Sequence, residues 1–135
     1  MQQQYGDVSV TLPGGFVAIC EIQRGPNNFF DQDLIKDLAD CFEDLDNNPE
    51  CRAIVLCSEG KHFCAGANFT SGSRKDSVSS HGEGETNPLY GEAVRLFRCK
   101  TPVIAAVQGA AVGGGFGLAV MADFRVACSN TRMTA

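Results

Sequence analysis

Two short glycine-containing segments hold the residues of this 135-residue chain whose types and spacing could do chemistry. The first is HFCAGANF at residues 62–69, which follows an apolar run. Small residues in such a loop let a ligand approach the main chain closely, so backbone N–H groups can act as hydrogen-bond donors. A tight loop whose glycines only permit close packing explains the same residues, and both interpretations stay open for this segment alone.

The second segment is GAAVGGGFGL at residues 109–118. Glycines that lead into a helix expose its first N–H groups, and the helix dipole favours negative charge at that end. The segment does not fit a phosphate loop, because Walker A requires Lys and then Ser or Thr after its second glycine. A dinucleotide fingerprint also fails, since Gly113 and Gly115 are followed by Leu118 where the third glycine should be. Close packing of a helix on a strand is the alternative.

Together the two segments predict more than either does alone. Two N–H donors from separate loops that converge on one point form an oxyanion hole. A thioester carbonyl that becomes an enolate needs such a pair, because negative charge develops on its oxygen. The pair of segments therefore fits the stabilisation of a thioester enolate.

The elements that position these segments are those of an α/β fold. Alternating apolar residues at 8–12, a Pro-Gly-Gly turn and an apolar run at 16–22 predict a hairpin. Asp31 is a plausible N-cap for a following helix. The apolar residues that recur there at helical spacing are Leu34, Leu38, Phe42 and Leu45.

Two continuous apolar runs, at 53–57 and 103–107, predict strands of a parallel sheet that are buried on both faces. Each run precedes one of the glycine segments, and open α/β sheets place ligands at the carboxyl ends of their strands. A helix is expected over 89–97, a short apolar helix through Met121, and a further strand at 124–128.

The composition predicts an intracellular protein, which we expect in the cytoplasm, without a nucleic-acid or membrane partner. The chain is 44% hydrophobic and 20% charged, and its formal net charge of -5 disfavours an extended nucleic-acid surface. Its seven cysteines include no Cys-x-x-Cys pair, so we expect reduced thiols and no metal site. The N-terminus has no signal-peptide pattern, and no apolar stretch is long enough to span a membrane. Residues 70–88 are polar and are expected to form a flexible excursion.

The segments at 62–69 and 102–115 resemble the two oxyanion-hole motifs of the crotonase superfamily, the enoyl-CoA hydratase/isomerase family. The first motif usually ends Ala-Gly-Ala-Asp, and Asn68 stands here in place of the Asp. Arg24, Pro26 and Asn28 resemble a family loop in a shortened form. The resemblance covers nearly the whole chain. It implies a spiral of ββα units, in which residues 1–135 are a single partial domain truncated before the C-terminal part.

The resemblance also implies a substrate and its binding residues. The substrate would be an acyl-CoA, so that coenzyme A enters as part of the thioester and no prosthetic group is bound. The backbone N–H groups of Ala67 and Gly114 would form the oxyanion hole. The full-length protein would be a homotrimer or a dimer of trimers. The residues implied to line the substrate path are Ala65, Gly66, Asn68, Phe69 and Gly113.

Position 117 departs from the family pattern. Hydratases of the family carry a Glu three residues beyond the second hole glycine, and it positions water together with a later acid. Gly117 stands at this position and has no side chain to accept a proton. We therefore expect an intact oxyanion hole with little hydratase activity, which leaves isomerase or other enolate chemistry. A non-catalytic acyl-CoA-binding relative or an inactive fragment is the alternative.

Other polar residues are weaker candidates for function. His62 and Cys64 could form the base and nucleophile of a cysteine hydrolase, but a small buried residue is the favoured interpretation of Cys64. Arg24 could contact the phosphates of CoA, although a solvated surface position is favoured. His81 is expected to be solvated, and Asp123 is expected to make structural hydrogen bonds.

Overall fold

The computed structural model describes residues 3–67 and 88–135, which form a six-stranded sheet, a two-stranded sheet and three helices. The predicted excursion at 70–88 lies outside these residues as far as residue 87, and Pro88 begins a helix. The helices are α1 (Gln32–Asp46), α2 (Pro88–Phe97) and α3 (Gly114–Met121). The strands are β1 (Gln4–Tyr5), β2 (Val8–Gly14), β3 (Val17–Ile22), β4 (Ala53–Ser58), β5 (Val103–Val107), β6 (Ala110–Val112), β7 (Phe124–Ala127) and β8 (Arg132–Thr134).

The larger sheet has the strand order β1-β2-β3-β4-β5-β7. Its first three strands pair antiparallel, which confirms the predicted hairpin, although β2 continues through the expected turn residue Gly14. The pairs β3–β4, β4–β5 and β5–β7 are parallel, as the order of apolar runs predicts. The carboxyl ends of these four strands therefore meet at one edge of the sheet, from which both glycine segments emerge.

Helix α1 covers one face of this sheet. Its N-cap is Asp31, as predicted, and the carboxylate accepts a hydrogen bond of 2.9 Å from the N–H of Leu34. The side chains of Cys20 on β3 and Cys41 on α1 are fully buried, with their sulfur atoms 3.4 Å apart. All seven cysteines are free thiols, which confirms that prediction. The α1 residues buried in this core are Leu34, Ile35, Leu38, Ala39, Cys41, Phe42 and Leu45.

The opposite face of the sheet is only partly covered, so the prediction that β4 and β5 are buried on both faces is wrong. Both strands alternate between fully buried and half-buried residues. Val55 pairs with Ile104, and Ile104 pairs with Phe124, so the three side chains share the face turned away from α1. Phe124 and Val126 on β7 are each 63% exposed there. The continuous apolar runs of β4 and β5 thus place apolar side chains on both faces of the sheet, but only the face toward α1 is fully packed.

The sequence predicts a loop over the glycine-rich stretch 109–115. The structure differs, because this stretch contains strand β6. This strand pairs in parallel with β8, a strand that the sequence pattern does not predict. Ala110 pairs with Arg132 and Val112 with Thr134. The main-chain hydrogen bonds of small residues decide this pairing, so hydrophobic periodicity gives no sign of it.

Candidate active site

The two glycine segments lie side by side and are joined through their main chains. The N–H of Phe63 donates to the carbonyl of Gln108 at 2.9 Å, and the N–H of Cys64 donates to the carbonyl of Ala110 at 3.0 Å. The carbonyl of Cys64 in turn accepts from the N–H of Val112 at 3.0 Å. These bonds fix the position of the first segment against β6 without using any side chain.

Glycine is required where the two segments touch. A Cβ atom on Gly115 would lie 2.1 Å from the carbonyl oxygen of Cys64. A Cβ atom on Gly109 would lie 2.1 Å from the carbonyl oxygen of Lys61, and Gly109 also has a φ of +58°. Both distances are far below van der Waals contact, and the atoms met belong to the main chain. The packing interpretation of these glycines is therefore confirmed at positions 109 and 115.

Phe30, from the loop before α1, contacts both segments. Its N–H donates to the carbonyl of Gly66 at 2.8 Å, and its main chain forms a parallel bridge with Ala67. Its ring lies against the start of α3, where a Cβ atom on Gly114 would be 2.5 Å from the ring atom Cδ1. One residue therefore lies against both of the predicted hole residues, Ala67 and Gly114.

The loop that carries Phe30 is held by the buried side chain of Asn28. The amide nitrogen of Asn28 donates to the carbonyls of Glu59 at 2.9 Å and His62 at 2.8 Å. Its amide oxygen accepts from the N–H of Arg24 at 2.9 Å. Because Asn28 is fully buried, these bonds satisfy polar groups that water cannot reach. They fix the loop 24–30 to Glu59 and to His62, the first residue of the first glycine segment.

The N–H groups of Ala67 and Gly114 have no acceptor within residues 3–67 and 88–135. Gly114 is the first residue of α3, where the helix supplies no intrahelical acceptor for the N–H. The preceding Gly113 adopts a φ of +57°, and its N–H donates to the carbonyl of Thr134 at 2.9 Å. Gly114 thus offers a donor at the positive end of a helix dipole.

The residues predicted to line the substrate path lie in different surroundings. Ala65 is half-buried, and its N–H donates to the carbonyl of Asn27 at 3.1 Å. Gly66 is buried with a φ of +99°, and a Cβ atom there would lie 3.6 Å from the carbonyl oxygen of Val112. Gly113 is exposed beside them. The remaining two predicted residues, Asn68 and Phe69, lie outside the described residues.

An apolar cavity of about 280 Å³ opens beside Gly114. It lies between α2 and α3, and Phe30 and Ile35 contribute to its wall. Among the described residues that line it, Tyr90 contributes the only polar side-chain group, and it is 65% exposed. The described residues that line the cavity are Phe30, Ile35, Leu89, Tyr90, Ala93, Leu96, Phe97, Gly114, Gly117, Leu118 and Met121.

Gly117 is exposed and lines this cavity one helical turn beyond Gly114. A Cβ atom built on it would meet no heavy atom within 4 Å. Packing therefore does not require glycine at position 117, in contrast to positions 109, 114 and 115. The space beside this residue is open to a side chain or to a ligand.

Arg24 is not the solvated surface residue that the sequence favoured. Its guanidinium pairs with Asp7 at 2.8 Å and with Asp31 at 2.6 Å, and it also donates to the carbonyl of Phe29 at 3.2 Å. Burial opposes its charge, but the hydrogen bonds to Asp31 and Asp7 outweigh burial and raise the pKa of Arg24. Because these partners occupy the guanidinium, the geometry favours a structural role over contact with CoA phosphates.

His62 and Cys64 do not form a nucleophile and base pair. The Nδ1 atom of His62 accepts a hydrogen bond of 3.0 Å from the N–H of Ala110. Cys64 is fully buried, and burial raises the pKa of its thiol to about 11. A buried neutral thiol is a poor nucleophile. The preferred interpretation of Cys64 as a small buried residue is confirmed.

Asp123 has the structural role that the sequence predicts. Its carboxylate accepts a hydrogen bond of 2.8 Å from the N–H of Val103, and its own N–H donates to the carbonyl of Val103 at 2.9 Å. The residue thus joins the end of α3 to the start of β5. His81 lies outside the described residues.

Neither a metal site nor a membrane-spanning helix is found in the described residues. Residues 3–67 and 88–135 contain no group of three or more His, Cys, Asp or Glu side chains that could hold a metal ion. Within the same part of the chain, none of the helices combines the length and apolar character needed to cross a membrane.

Comparison with known proteins identifies the family. The sequence profile of the enoyl-CoA hydratase/isomerase family matches residues 14–135. The chain belongs to this family. It is 34% identical over 122 residues to a short-chain-enoyl-CoA hydratase from Clostridium acetobutylicum, a match that covers 87% of this chain and 45% of that protein. It is 31% identical over 108 residues to a peroxisomal Delta(3,5)-Delta(2,4)-dienoyl-CoA isomerase from Arabidopsis thaliana, covering 73% and 39% of the two chains.

The fold of the crotonase superfamily, to which the family belongs, is confirmed by solved structures. An enoyl-CoA hydratase from Shewanella pealeana superposes with a TM-score of 0.73 at 30% identity, covering 93% of this chain and 48% of that one. The chain therefore spans about half the length of the relatives that it matches. This agrees with the expected truncation relative to a full crotonase domain.

Sequence reasoning missed several residues that shape the site. Phe30 and Ile35 lie in the cavity wall, and sequence reasoning assigned neither residue to the site. Tyr90 was not singled out, and Asn28 entered only through the resemblance of its loop. The one signal for Asn28 is its place in an Asn-Asn pair after Gly-Pro, a composition typical of turns.

Proposed function

We propose that this protein binds an acyl-CoA thioester and stabilises the enolate of its acyl group in an oxyanion hole. The donors would be the backbone N–H groups of Ala67 and Gly114. The observation that carries this proposal is the N–H of Gly114, which has no acceptor among the described residues and lies at the start of α3 and at the wall of an apolar cavity. A thioester with its carbonyl at this N–H would have room for its acyl chain in the cavity.

The electrostatics of this position support the proposal. In the enolate, negative charge moves from the α-carbon to the thioester oxygen, so donors aimed at that oxygen stabilise the enolate more than the starting thioester. The first N–H of α3 adds the positive end of the helix dipole. Low polarity in the neighbouring cavity strengthens these interactions, because the effective dielectric constant is lower than in water.

The described residues suggest which reaction the site favours. Addition of water needs a proton-carrying group close to that water, and Gly117 supplies none. The described residues that line the cavity bring no carboxylate or imidazole to it. We therefore propose isomerisation or another enolate reaction in preference to hydration, with its acid or base supplied from outside these residues. One relative is named a hydratase and another is named an isomerase, so both reactions are relevant to the family.

A non-catalytic acyl-CoA-binding relative is the second candidate. The same observation favours it, because a cavity to which the described residues bring no carboxylate or imidazole can bind a thioester without transforming it. The proposed assembly is a homotrimer or a dimer of trimers, and the proposed location is the cytoplasm.

Titration of the full-length protein with a saturated acyl-CoA, free CoA and the free fatty acid tests the proposal. We expect the thioester to bind more tightly than either part, because the carbonyl, the acyl chain and the CoA each contact the protein. Equal and negligible binding of all three by a folded protein would contradict the proposal. Exchange of the α-protons of the bound thioester with deuterated water then separates the two candidates, since a binding protein without catalysis would show no exchange.

A further inference from the structure

A second cavity, of about 420 Å³, lies among the loops that follow β4, β5 and β7. The described residues that line it are Lys61, His62, Gly109 and residues 129–132, and none of them lines the apolar cavity beside Gly114. Strand β6, about 10 Å long, begins after Gly109 and ends before Gly113. The second cavity and the proposed oxyanion hole therefore lie at opposite ends of this strand.

The second cavity is cationic, although the chain has a formal net charge of -5. The exposed side chains of Lys61 and Arg132 both line it. Among the described residues, neither side chain forms an ion pair with a carboxylate, whereas Arg24 and Arg95 each pair with at least two. The described lining residues also include no Asp or Glu. Two cations without a local counter-charge attract an anion to this position.

His62 brings a hydrogen-bond donor to the same wall. Its Nδ1 atom accepts a hydrogen bond of 3.0 Å from the N–H of Ala110, so Nδ1 carries no proton. The proton of the neutral ring is therefore on Nε2, which acts as a donor. The half-buried ring of His62 thus adds a neutral N–H group to the two cations that line the cavity.

The loops that carry these groups are held against each other. The N–H of Arg132 donates to the carbonyl of Gly109 at 2.7 Å, and the hydroxyl of Thr131 donates to the carbonyl of Val107 at 2.8 Å. Gly109 in turn packs so closely on Lys61 that a Cβ atom would lie 2.1 Å from the carbonyl oxygen of Lys61. The main-chain positions of the two cationic residues are therefore fixed relative to each other, which lowers the entropic cost of binding a ligand between them.

We propose that this cavity binds the phosphate groups of a small phosphorylated molecule, at a site separate from the thioester site. A phosphate presents three oxygens in different directions, which suits donors from separate loops, whereas a carboxylate presents two oxygens in one plane. At roughly 30 Å³ for each heavy atom, the cavity volume of about 420 Å³ holds about 14 atoms, more than a single phosphate has. The ligand is therefore a diphosphate or a small phosphate monoester. The site uses neither Ala67 nor Gly114, so its existence does not depend on the proposed function.

Isothermal titration calorimetry of the full-length protein with inorganic pyrophosphate tests the site. Citrate, with a similar negative charge, is the carboxylate probe, and glucose is the uncharged probe. We expect pyrophosphate to bind at least about tenfold more tightly than citrate, and glucose to show no measurable binding. The affinity for pyrophosphate should fall as the salt concentration rises, because the two cations are exposed and are screened by salt.

Three substitutions test the assigned residues. Lys61→Gln and Arg132→Gln should each weaken pyrophosphate binding by about tenfold, since each removes a charge-assisted hydrogen bond. His62→Asn should weaken it by about threefold, because the Asn oxygen can replace Nδ1 as an acceptor but the Nε2 donor is lost. Lys100→Gln is the matched control, since it removes the same charge from an exposed lysine outside the cavity. Its affinity should change by less than about twofold.

Each outcome either supports or refutes the phosphate site. No binding of pyrophosphate by the folded protein, or equal weakening by Lys61→Gln and Lys100→Gln, refutes the site and leaves the proposed function untouched. Tighter binding of citrate than of pyrophosphate refutes the assignment to phosphate. Saturating butyryl-CoA should change the dissociation constant of pyrophosphate by less than about twofold. Competitive displacement would show that the cavity holds the phosphates of CoA itself, which refutes a separate site, whereas failure of butyryl-CoA to bind would count against the proposed function alone.

Discussion

The ring of Phe30 occupies the space into which any side chain at position 114 would project, since a Cβ atom on Gly114 would lie 2.5 Å from its Cδ1 atom. The main chain of Phe30 also bridges to Ala67. Phe30 thus fixes the distance between the two segments that carry the proposed donors.

Gly115→Ala is expected to force the two glycine segments apart, because its Cβ would lie 2.1 Å from the carbonyl oxygen of Cys64. We expect a loss of about 2 kcal/mol in the free energy of unfolding, typical of overpacking. Chemical denaturation measures this loss in the free energy of unfolding. The matched control is Gly91→Ala, which adds a Cβ in open space within a helix and should stabilise the protein by about 0.5–1 kcal/mol. Equal effects of the two substitutions would contradict the contact between the segments.

Gly117→Glu is expected to increase hydration of crotonyl-CoA, which should be slow in the unmodified full-length protein. A carboxylate in the open space beside Gly117 could accept a proton from water near the thioester, and such a group typically contributes about a hundred-fold or more. A spectrophotometric hydration assay measures the change, with Gly117→Gln as the control that cannot carry the proton. Fast hydration by the unmodified protein would refute the expectation drawn from Gly117.

Asn28→Asp should destabilise the protein by about 3 kcal/mol or more at neutral pH. The substitution keeps the shape and tolerates the φ of +52°. It replaces the NH₂ group that donates to the carbonyls of Glu59 and His62 with an oxygen that would face both. The adjacent Asn27→Asp is the control, since the side chain of Asn27 is only half-buried. A cost at position 28 no larger than that at position 27 would argue against this buried amide as the support of the loop.

Asp46 should make the stability sensitive to acid. Burial opposes its ionisation, but hydrogen bonds from the Thr101 hydroxyl and from the N–H groups of Lys100 and Thr101 outweigh burial and lower its pKa. Because the pKa of Asp46 is lower in the folded state, its ionised carboxylate stabilises the fold at pH values above the unfolded-state pKa of about 3.9. This stability is lost as the pH falls through the folded-state pKa.

Asp46→Asn should therefore remove about 1 kcal/mol of stability at pH 7, and the deficit should shrink as the pH falls below about 4. Denaturation curves measured from pH 7 downward give this difference. Glu50→Gln, at an exposed position, should show no comparable pH-dependent deficit. A deficit for Asp46→Asn that grows at low pH would have the wrong sign for the proposed linkage.

The 135-residue chain should bind a hydrophobic fluorescent dye and unfold with low cooperativity. The apolar face of the sheet turned away from α1 includes Phe124 and Val126, each 63% exposed. Exposed patches of this kind promote association. Phe124→Lys should lower the dye signal, whereas Val120→Lys on α3 should change it less. A sharp two-state thermal transition of a monomer without dye binding would show that this face does not need a cover.

The elements predicted from the sequence are those whose signals, a hydrophobic spacing or a helix cap, come from residues close together in the chain. The α1 helix follows from its apolar spacing and from Asp31, and β4 and β5 follow from their apolar runs. Such features depend on residues close together in the chain, so one sequence is sufficient to find them. The two hole segments were likewise located, because glycine clusters after apolar runs are visible without a structure.

The features that the sequence did not predict depend on contacts between distant residues. Strand β8 forms only because β6 offers it main-chain partners, and neither strand has a hydrophobic period. Arg24 was expected at the surface, since nothing local shows that Asp7 and Asp31 would approach it. The apolar cavity arises where α2 and α3 face each other, and its shape depends on the absent side chain of Gly117 as much as on the side chains present.

The hydrogen bonds between the first glycine segment and β6 join main-chain atoms only. Substitutions that keep the glycines at 109 and 115 therefore leave the proposed donor geometry intact. Selection can then alter the cavity walls separately from this main-chain frame. Mutational drift at positions such as 117 would change the chemistry that we propose for the site, while the frame keeps the proposed donors in the same place.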